Sequence, residues 1–353
     1  MSVHGQDIHA RIRWLLELGA SHSREYCSPE ASLARQRYLA EHPTLVGVLK
    51  CMDGRIHIPH ATRTPLGIIL PFRNLGGIFD LGWPYLGEVL SDAVLRAVRG
   101  GRQVLLLITY HYSKGDPARG CAGFDYDAKA AYEHTCRIRG QVEAIFGEAH
   151  QTVYPLVCGF ETDEDALLLH GPGGQRLDVA ALGEVSDEDL ADRLRATCPD
   201  MPGRVLLDLL PLIRGNMAHI AEVRGTDRQL EIAHREWAIC VGRGFDFLHV
   251  PNVALIVGPY SPNLRDPIAR AAGIILDNME TGRIPDDGFL VLASVPYRDV
   301  GTDHNRAVLK ARFLSEFAAG VIAEAFPALH ERMIQRTAVL NWNSRALEAI
   351  DAG

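Results

Sequence analysis

The sequence lacks three features, and each absence excludes a class of protein. It has no run of about 18 apolar residues, so no segment is expected to span a membrane. It has no excess of positive charge: the net charge of −8 argues against a basic surface for nucleic acid, and we predict no such partner. Its first residues, MSVHGQDIHARIRWLLELG, lack the uninterrupted apolar stretch of a secretion signal and are typical of an amphipathic helix.

The cysteines lack the pattern of a disulfide framework, because there are seven of them and they are widely spread along 353 residues. We therefore expect a reducing, cytoplasmic environment, in which thiolates stay available as metal ligands. Hydrophobic residues make up 47% of the chain and charged residues 23%, which predicts a packed core. The length indicates two domains, or one domain built twice.

Alternating apolar runs and amphipathic segments predict an α/β protein with a mainly parallel β-sheet flanked by helices. Short apolar runs predict buried parallel strands at 45–50, 66–72 and 104–109. Cys51 follows the first of these strands, and His111 stands just past the end of the third. Because ligands of open α/β sheets gather at the carboxyl ends of the strands, we expect both side chains at one edge of the sheet.

Cys51, His111 and Cys121 make up a three-ligand set for zinc, with the fourth position left for water. Asp53 and Arg55 follow the first cysteine by two and four residues. We predict that Asp53 accepts a hydrogen bond from the zinc-bound water, and that Arg55 restrains the carboxylate and keeps it ionised. Without that restraint, the carboxylate could become a fourth ligand and close the site.

The second half of the chain repeats the strand spacing of the first, which indicates an internal duplication. Segment 244–251 aligns with 52–59, and with this offset Arg243 stands where the first half has Cys51. The second copy therefore loses every candidate ligand. Its predicted strands are 237–241, 254–257 and 289–294.

The motif CMDGR at 51–55, the stretch RNLGG at 73–77, and then His111 and Cys121 follow in an order that resembles β-class carbonic anhydrases. That family usually has two residues between its histidine and second cysteine, whereas this chain has nine. The widened loop and the degenerate second copy resemble the carboxysome shell carbonic anhydrase branch. In that branch a single chain imitates the β-class dimer, with one active and one inactive half.

The resemblance implies a β-carbonic-anhydrase-like fold that is duplicated as a pseudo-dimer within the chain, which could pair again as a homodimer or higher oligomer. We expect an N-terminal helical segment at 1–43, a zinc-binding catalytic domain at 44–200, and a degenerate second copy at 201–353. The resemblance leaves carboxysome association open, because no long docking extension precedes the helices, and we expect a cytoplasmic location.

The resemblance also implies the chemistry: a lyase that hydrates CO2 reversibly to bicarbonate by zinc-bound hydroxide, with CO2 and bicarbonate as its small-molecule partners. It implies that the RNLGG stretch borders the substrate pocket. The residues expected there are Arg73, Asn74, Gly76 and Gly77.

Several alternatives stay open. The same zinc site would hydrolyse CS2 or COS if the pocket admitted these linear molecules. A zinc site closed by four protein ligands would instead make the protein a non-catalytic scaffold or a partner in inorganic-carbon uptake, although a structural site needs no Asp–Arg dyad. The proton shuttle is open among His57, His60 and His134.

Overall fold

The computed structural model describes residues 3–226, 232–245 and 247–350. Their strands form two sheets of mostly parallel strands flanked by helices, so the predicted α/β class is confirmed. Among these residues, no helix is both long enough and apolar enough to cross a bilayer.

Strands and helices alternate along most of the chain. The strands are Leu45–Cys51 (β1), Ile69–Asn74 (β2), Val104–Tyr112 (β3), Val153–Glu161 (β4), Ala166–His170 (β5), Arg176–Asp178 (β6), Ala238–Gly242 (β7), Ala254–Val257 (β8), Phe289–Tyr297 (β9), Met333–Asn341 (β10) and Leu347–Ala349 (β11). The helices are Ile8–Cys27 (α1), Pro29–Glu41 (α2), Ile58–Ala61 (α3), Pro84–Arg99 (α4), Ala128–Phe146 (α5), Asp187–Thr197 (α6), Gly203–Arg224 (α7), Arg265–Glu280 (α8), Thr302–Ala325 (α9) and Pro327–His330 (α10).

Packing divides the described residues into two compact units. The first-sheet unit lies within Leu33–Cys51 and Ile56–Ile232. Its sheet has the order β2-β1-β3-β4-β5-β6, in which β1 to β4 pair in parallel and β5 and β6 run antiparallel to their neighbours. Nearly every residue of β1 and β3 is buried, as their near-continuous apolar sequences require.

His111 is the penultimate residue of β3, so the prediction that it lies just past the strand's end is wrong. The strand continues because His111 and Tyr112 stay in register with Phe160 and Glu161 of β4. Hydrogen-bonded pairing with β4 thus extends β3 beyond the apolar run that had been predicted as the strand.

The second-sheet unit lies within Met1–Ser32, Met52–Arg55 and Ala233–Gly353. Its sheet has the order β11-β10-β9-β7-β8, with β11 antiparallel and the other pairs parallel. The succession β8-β7-β9-β10 repeats β2-β1-β3-β4 of the first sheet, which fits the predicted pseudo-dimer. Arg243 directly follows β7, whereas Asp246 of the aligned segment 244–251 lies outside the described residues.

His170 ends β5 as a buried, uncharged imidazole. It is 4% exposed, and its Nε2 lies 3.0 Å from the hydroxyl of Tyr110. Burial, and then the positive charge of Arg176, lower the pKa of His170 from 6.5 to about 4. The unfolded chain therefore binds a proton at this residue in a pH range where the folded chain does not.

We expect acid to destabilise the metal-free protein through His170. The stabilisation is present above pH 6.5 and is lost as the pH falls towards 4, because the folded pKa lies below the unfolded one. One group with this shift contributes on the order of 3 kcal/mol. Denaturant unfolding at a series of pH values should show a shallower decline for His170→Gln, which keeps an acceptor for Tyr110. Parallel pH profiles for the two proteins would contradict the assignment. Burial also lowers the pKa of His4 to about 4, but this contribution is the same in both proteins.

Candidate metal centre

Cys51, His111 and Cys121 bring their side chains together in the first-sheet unit. Their two sulfur atoms and a ring nitrogen of the histidine all lie within 4.8 Å of one another. All three residues are buried, with exposures of 6%, 2% and 2%. Tetrahedral zinc with bonds of about 2.0–2.3 Å separates its ligand atoms by about 3.4–3.8 Å, which is compatible with this grouping.

Two adjacent strands and one turn place these ligands. Cys51 is the last residue of β1, and β3, which carries His111, pairs with β1 in parallel. Cys121 precedes a 3-10 turn, and its carbonyl oxygen accepts hydrogen bonds from the backbone N–H groups of Phe124 at 3.1 Å and Tyr126 at 2.9 Å. The third candidate ligand is thus held in a compact turn that begins at its own carbonyl.

The predicted glycines after β2 pack backbone against backbone with both cysteine segments. Gly76 and Gly77 have φ of 65° and 66°, which glycine adopts without strain. A Cβ on Gly77 would lie 3.0 Å from the carbonyl oxygen of Thr109 and 3.5 Å from the nitrogen of Cys51. A Cβ on Gly123 would lie 2.6 Å from Cα of Gly76. The absence of side chains here lets the ligand-bearing segments approach one another.

Arg73 and Asn74 end β2 beside the ligand strand. Asn74 is in register with Cys51, and Arg73 with Lys50. The amide nitrogen of Asn74 donates to the carbonyl of Ile78 at 2.7 Å, which fixes the orientation of the amide. Its buried Oδ1 has no hydrogen-bond partner within the described part of the chain. A buried acceptor without a partner suits a bound group that can donate a hydrogen.

The chemistry of the ligand atoms fits a zinc ion. The pKa of the Cys51 thiol is raised well above its usual value, chiefly by its hydrogen bond with the thiol of Cys121 and then by burial. Two neighbouring buried thiols do not both ionise readily without a cation, and a divalent ion supplies that charge. Thiolate and imidazole ligands in a set of three are the ligands of an open zinc site.

Asp53 and Arg55 form a buried ion pair in the second-sheet unit. Both residues are 4% exposed. Arg55 Nη2 donates to Asp53 Oδ2 at 2.6 Å, and its Nε lies 3.1 Å and 3.2 Å from the two carboxylate oxygens. The backbone N–H of Arg55 also donates to Oδ1 at 2.8 Å. Both carboxylate oxygens are thus held by one residue.

His234 and Glu236 support this dyad, and no sequence motif marks either residue. Arg55 Nη2 lies 2.9 Å from Nε2 of His234, which must accept because guanidinium groups only donate. The Nδ1–H of His234 then donates to the fully buried Glu236 at 2.9 Å. Oxygen and nitrogen atoms of Asp53, His234 and Glu236 also lie within 4.8 Å of one another. The positive charge beside this group of acidic and imidazole side chains comes from the guanidinium of Arg55.

The three candidate proton shuttles differ in their surroundings. His57 is buried, whereas His60 is exposed and packs against the ring of His219 with centroids 5.0 Å apart. His134 Nε2 accepts from the N–H of Phe79 at 3.2 Å. Burial, and then Arg137, lower the pKa of His134, so this residue is uncharged at neutral pH. His134 is therefore a poor proton carrier.

Comparison with known families identifies the class of enzyme. Residues 35–197 match the family model described as Carboxysome Shell Carbonic Anhydrase, catalytic domain, and this segment contains every predicted site residue. The matched domain is that of a carbonic anhydrase, a lyase. The resemblance inferred from the sequence is confirmed over residues 35–197, which match the catalytic domain of the carboxysome shell carbonic anhydrase family. No curated protein matches the chain in sequence.

We expect Gly123→Ala to weaken the fold and the metal centre together. The added Cβ would meet backbone atoms of Gly76 at 2.6 Å and 2.8 Å, so the turn that follows Cys121 must shift. Such overpacking costs about 1–3 kcal/mol. Thermal unfolding with and without zinc should show lower stability and a smaller gain from zinc. The control is Gly140→Ala on α5, where no atom lies within 4 Å of the new Cβ. Equal behaviour of the two variants would contradict the predicted close contact.

Proposed function

We propose that this protein hydrates CO2 reversibly to bicarbonate at a zinc ion held by Cys51, His111 and Cys121. The observation that carries the proposal is that their ligand atoms lie within 4.8 Å of one another inside the matched catalytic domain. When bound, zinc lowers the pKa of a coordinated water from about 15.7 to about 7 and so supplies a nucleophile at neutral pH. Three protein ligands leave the fourth position open for that water.

The Asp53–Arg55 dyad orients the reacting water in this proposal. Two thiolates would place more negative charge near the ion than neutral imidazoles would. This charge would lower the Lewis acidity of the ion. A carboxylate that accepts the water's hydrogen bond compensates for that loss. Arg55 holds both carboxylate oxygens, so Asp53 stays ionised and does not become a fourth ligand. His234 and Glu236 keep the guanidinium in place.

Arg73, Asn74, Gly76 and Gly77 border the substrate in this proposal. Their support is the register of β1 with β2, which sets Asn74 beside Cys51. The Oδ1 of Asn74 is suited to accept the hydrogen of bicarbonate. The two glycines let the Cys51 and Cys121 segments approach closely at this border, because they project no side chain.

We also propose the three-part organisation of 1–43, 44–200 and 201–353, with the last part a degenerate copy that serves as the dimer mate within the chain. Its support is the shared strand order of the two sheets. The name of the matched family indicates a carboxysome shell, and we propose a cytoplasmic protein that associates with such a shell. Pairing of the pseudo-dimers into a larger oligomer is compatible with this organisation.

Metal analysis together with a stopped-flow CO2 hydration assay tests the proposed function. We expect about one zinc per chain, and loss of zinc and activity in Cys51→Ser, His111→Ala and Cys121→Ser, because three ligands are needed for an open site. Cys240→Ala is the control, since this buried thiol of β7 lies outside the cluster. Two zinc ions per chain would contradict a single active copy. Hydrolysis of COS or CS2 without CO2 hydration would favour the alternative substrates.

We expect Asp53→Ala to retain zinc and to lower kcat by about 10²-fold or more, because the water loses its orienting acceptor. Arg55→Ala should also keep zinc and lose activity, since the released carboxylate can close the site. Glu41→Gln, which breaks the exposed ion pair with Arg37, is the control and should behave as the unaltered protein. Full activity in Asp53→Ala, or loss of zinc from it, would overturn the proposed role.

A further inference from the structure

The nine-residue loop between His111 and Cys121 has little regular structure of its own. Its described structure contains one 3-10 turn, Pro117–Arg119. The loop must nevertheless return Cys121 to within 4.8 Å of the other ligand atoms. A loop of this length has many conformations in solution, so an interaction from outside it must select the one that places the cysteine.

Asp163, in the turn between β4 and β5, makes several contacts with this loop. Ser113 Oγ lies 2.9 Å from both carboxylate oxygens and donates to them. The backbone N–H of Gly115 donates to Oδ2 at 2.7 Å. Arg119 Nη1 donates to Oδ1 at 3.4 Å and pairs with the carboxylate's charge. One side chain therefore binds the loop at its beginning, middle and end.

The turn that carries Asp163 is itself anchored to the ligand strand. Glu161 is in register with Tyr112, the residue after His111. The backbone N–H of Thr162 donates to the carbonyl of Tyr112 at 2.9 Å. Buried Glu161 accepts backbone hydrogen bonds from Lys114 at 3.0 Å and from Asp163 at 3.1 Å. The anchor thus extends from the strand that holds the histidine ligand.

Hydrogen bonds within the loop carry this restraint to Cys121. The N–H of Asp116 donates to Ser113 Oγ at 3.0 Å, and the Asp116 carboxylate accepts from the N–H of Ala118 at 2.9 Å. The N–H of Gly120 donates to the carbonyl of Pro117 at 2.9 Å. These hydrogen bonds follow one another along the loop, and the last one involves Gly120, which directly precedes Cys121.

We propose that Asp163 is a positioning residue that holds Cys121 in place for the metal. This rests on the proposed zinc site, because it assigns a role in ordering one of its ligands before the ion arrives. Without Asp163, metal binding would itself have to order the loop, and part of the binding energy would be lost to that ordering. Partners that orient metal ligands typically change affinity by about 10–100-fold.

The test compares Asp163→Ala with Lys114→Ala. The second variant removes a contact of the same loop, the 3.2 Å bridge from Lys114 to Asp178, whose lysine is 49% exposed. Zinc transfer to a competing chelator gives the affinity, and the spectrum of the Co²⁺-substituted protein reports thiolate ligation. We expect Asp163→Ala to bind zinc about 10–100-fold more weakly, with a reduced thiolate-to-cobalt band that approaches that of Cys121→Ser. Lys114→Ala should match the unaltered protein.

Unaltered affinity and spectrum in Asp163→Ala would overturn the proposal, and so would an equal effect in Lys114→Ala. A merely structural role would lower the thermal stability of the metal-free variant while leaving the cobalt spectrum unchanged, which also counts against positioning. Ser113→Ala repeats the measurement with a smaller change should Asp163→Ala fail to fold, and it should show a weaker loss of the same kind. Failure of the unaltered protein to bind zinc at all would instead refute the proposed function.

Discussion

Parallel pairing of β1 with β3 is the constraint on which the candidate centre depends. Side chains in paired strands keep a fixed spacing, so the register from Leu45↔Val104 to Leu49↔Ile108 brings Cys51 and His111 to one edge of the sheet. Both strands are buried on both faces, so their apolar sequence maintains the pairing that positions the two candidate ligands.

Local sequence signals were sufficient for the elements that carry the ligands. Apolar runs predicted β1, β2 and β3, whereas Gly76 and Gly77 were indicated by the resemblance of their stretch to the family. The order of the motifs from residue 51 to residue 121 indicated the family that the comparison then matched over residues 35–197. The strand signals are short-range, because periodicity acts over about ten positions.

The residues and the helix that the sequence did not predict either depend on long-range contacts or lack a helix-start signal. His234 meets Arg55 across 179 residues of chain, and no motif marks either His234 or Glu236. The 22-residue helix α7 was not predicted, because it contains Pro211 and begins after Pro202 without a capping side chain. Burial of its apolar face and of Asn216, which bonds three backbone groups, stabilises it instead. Whether such a helix forms depends on tertiary packing, which cannot be read from a single sequence.

The second-sheet unit holds the dyad although it offers no thiolate ligand set among its described residues. Residues 52–55 belong to that unit: the N–H of Ile256 donates to the carbonyl of Met52 at 2.9 Å, and that of Asn252 to Gly54 at 2.8 Å. Gly54 also donates its N–H to Glu236 at 3.1 Å, and a Cβ on this glycine would lie 2.7 Å from a backbone oxygen of Ala254. In the proposed duplication, the second copy lacks the metal ligands but still supplies the partners of Asp53 and Arg55. The backbone and acidic groups that fix Asp53 and Arg55 must still be retained, since a restrained carboxylate requires partners that do not move.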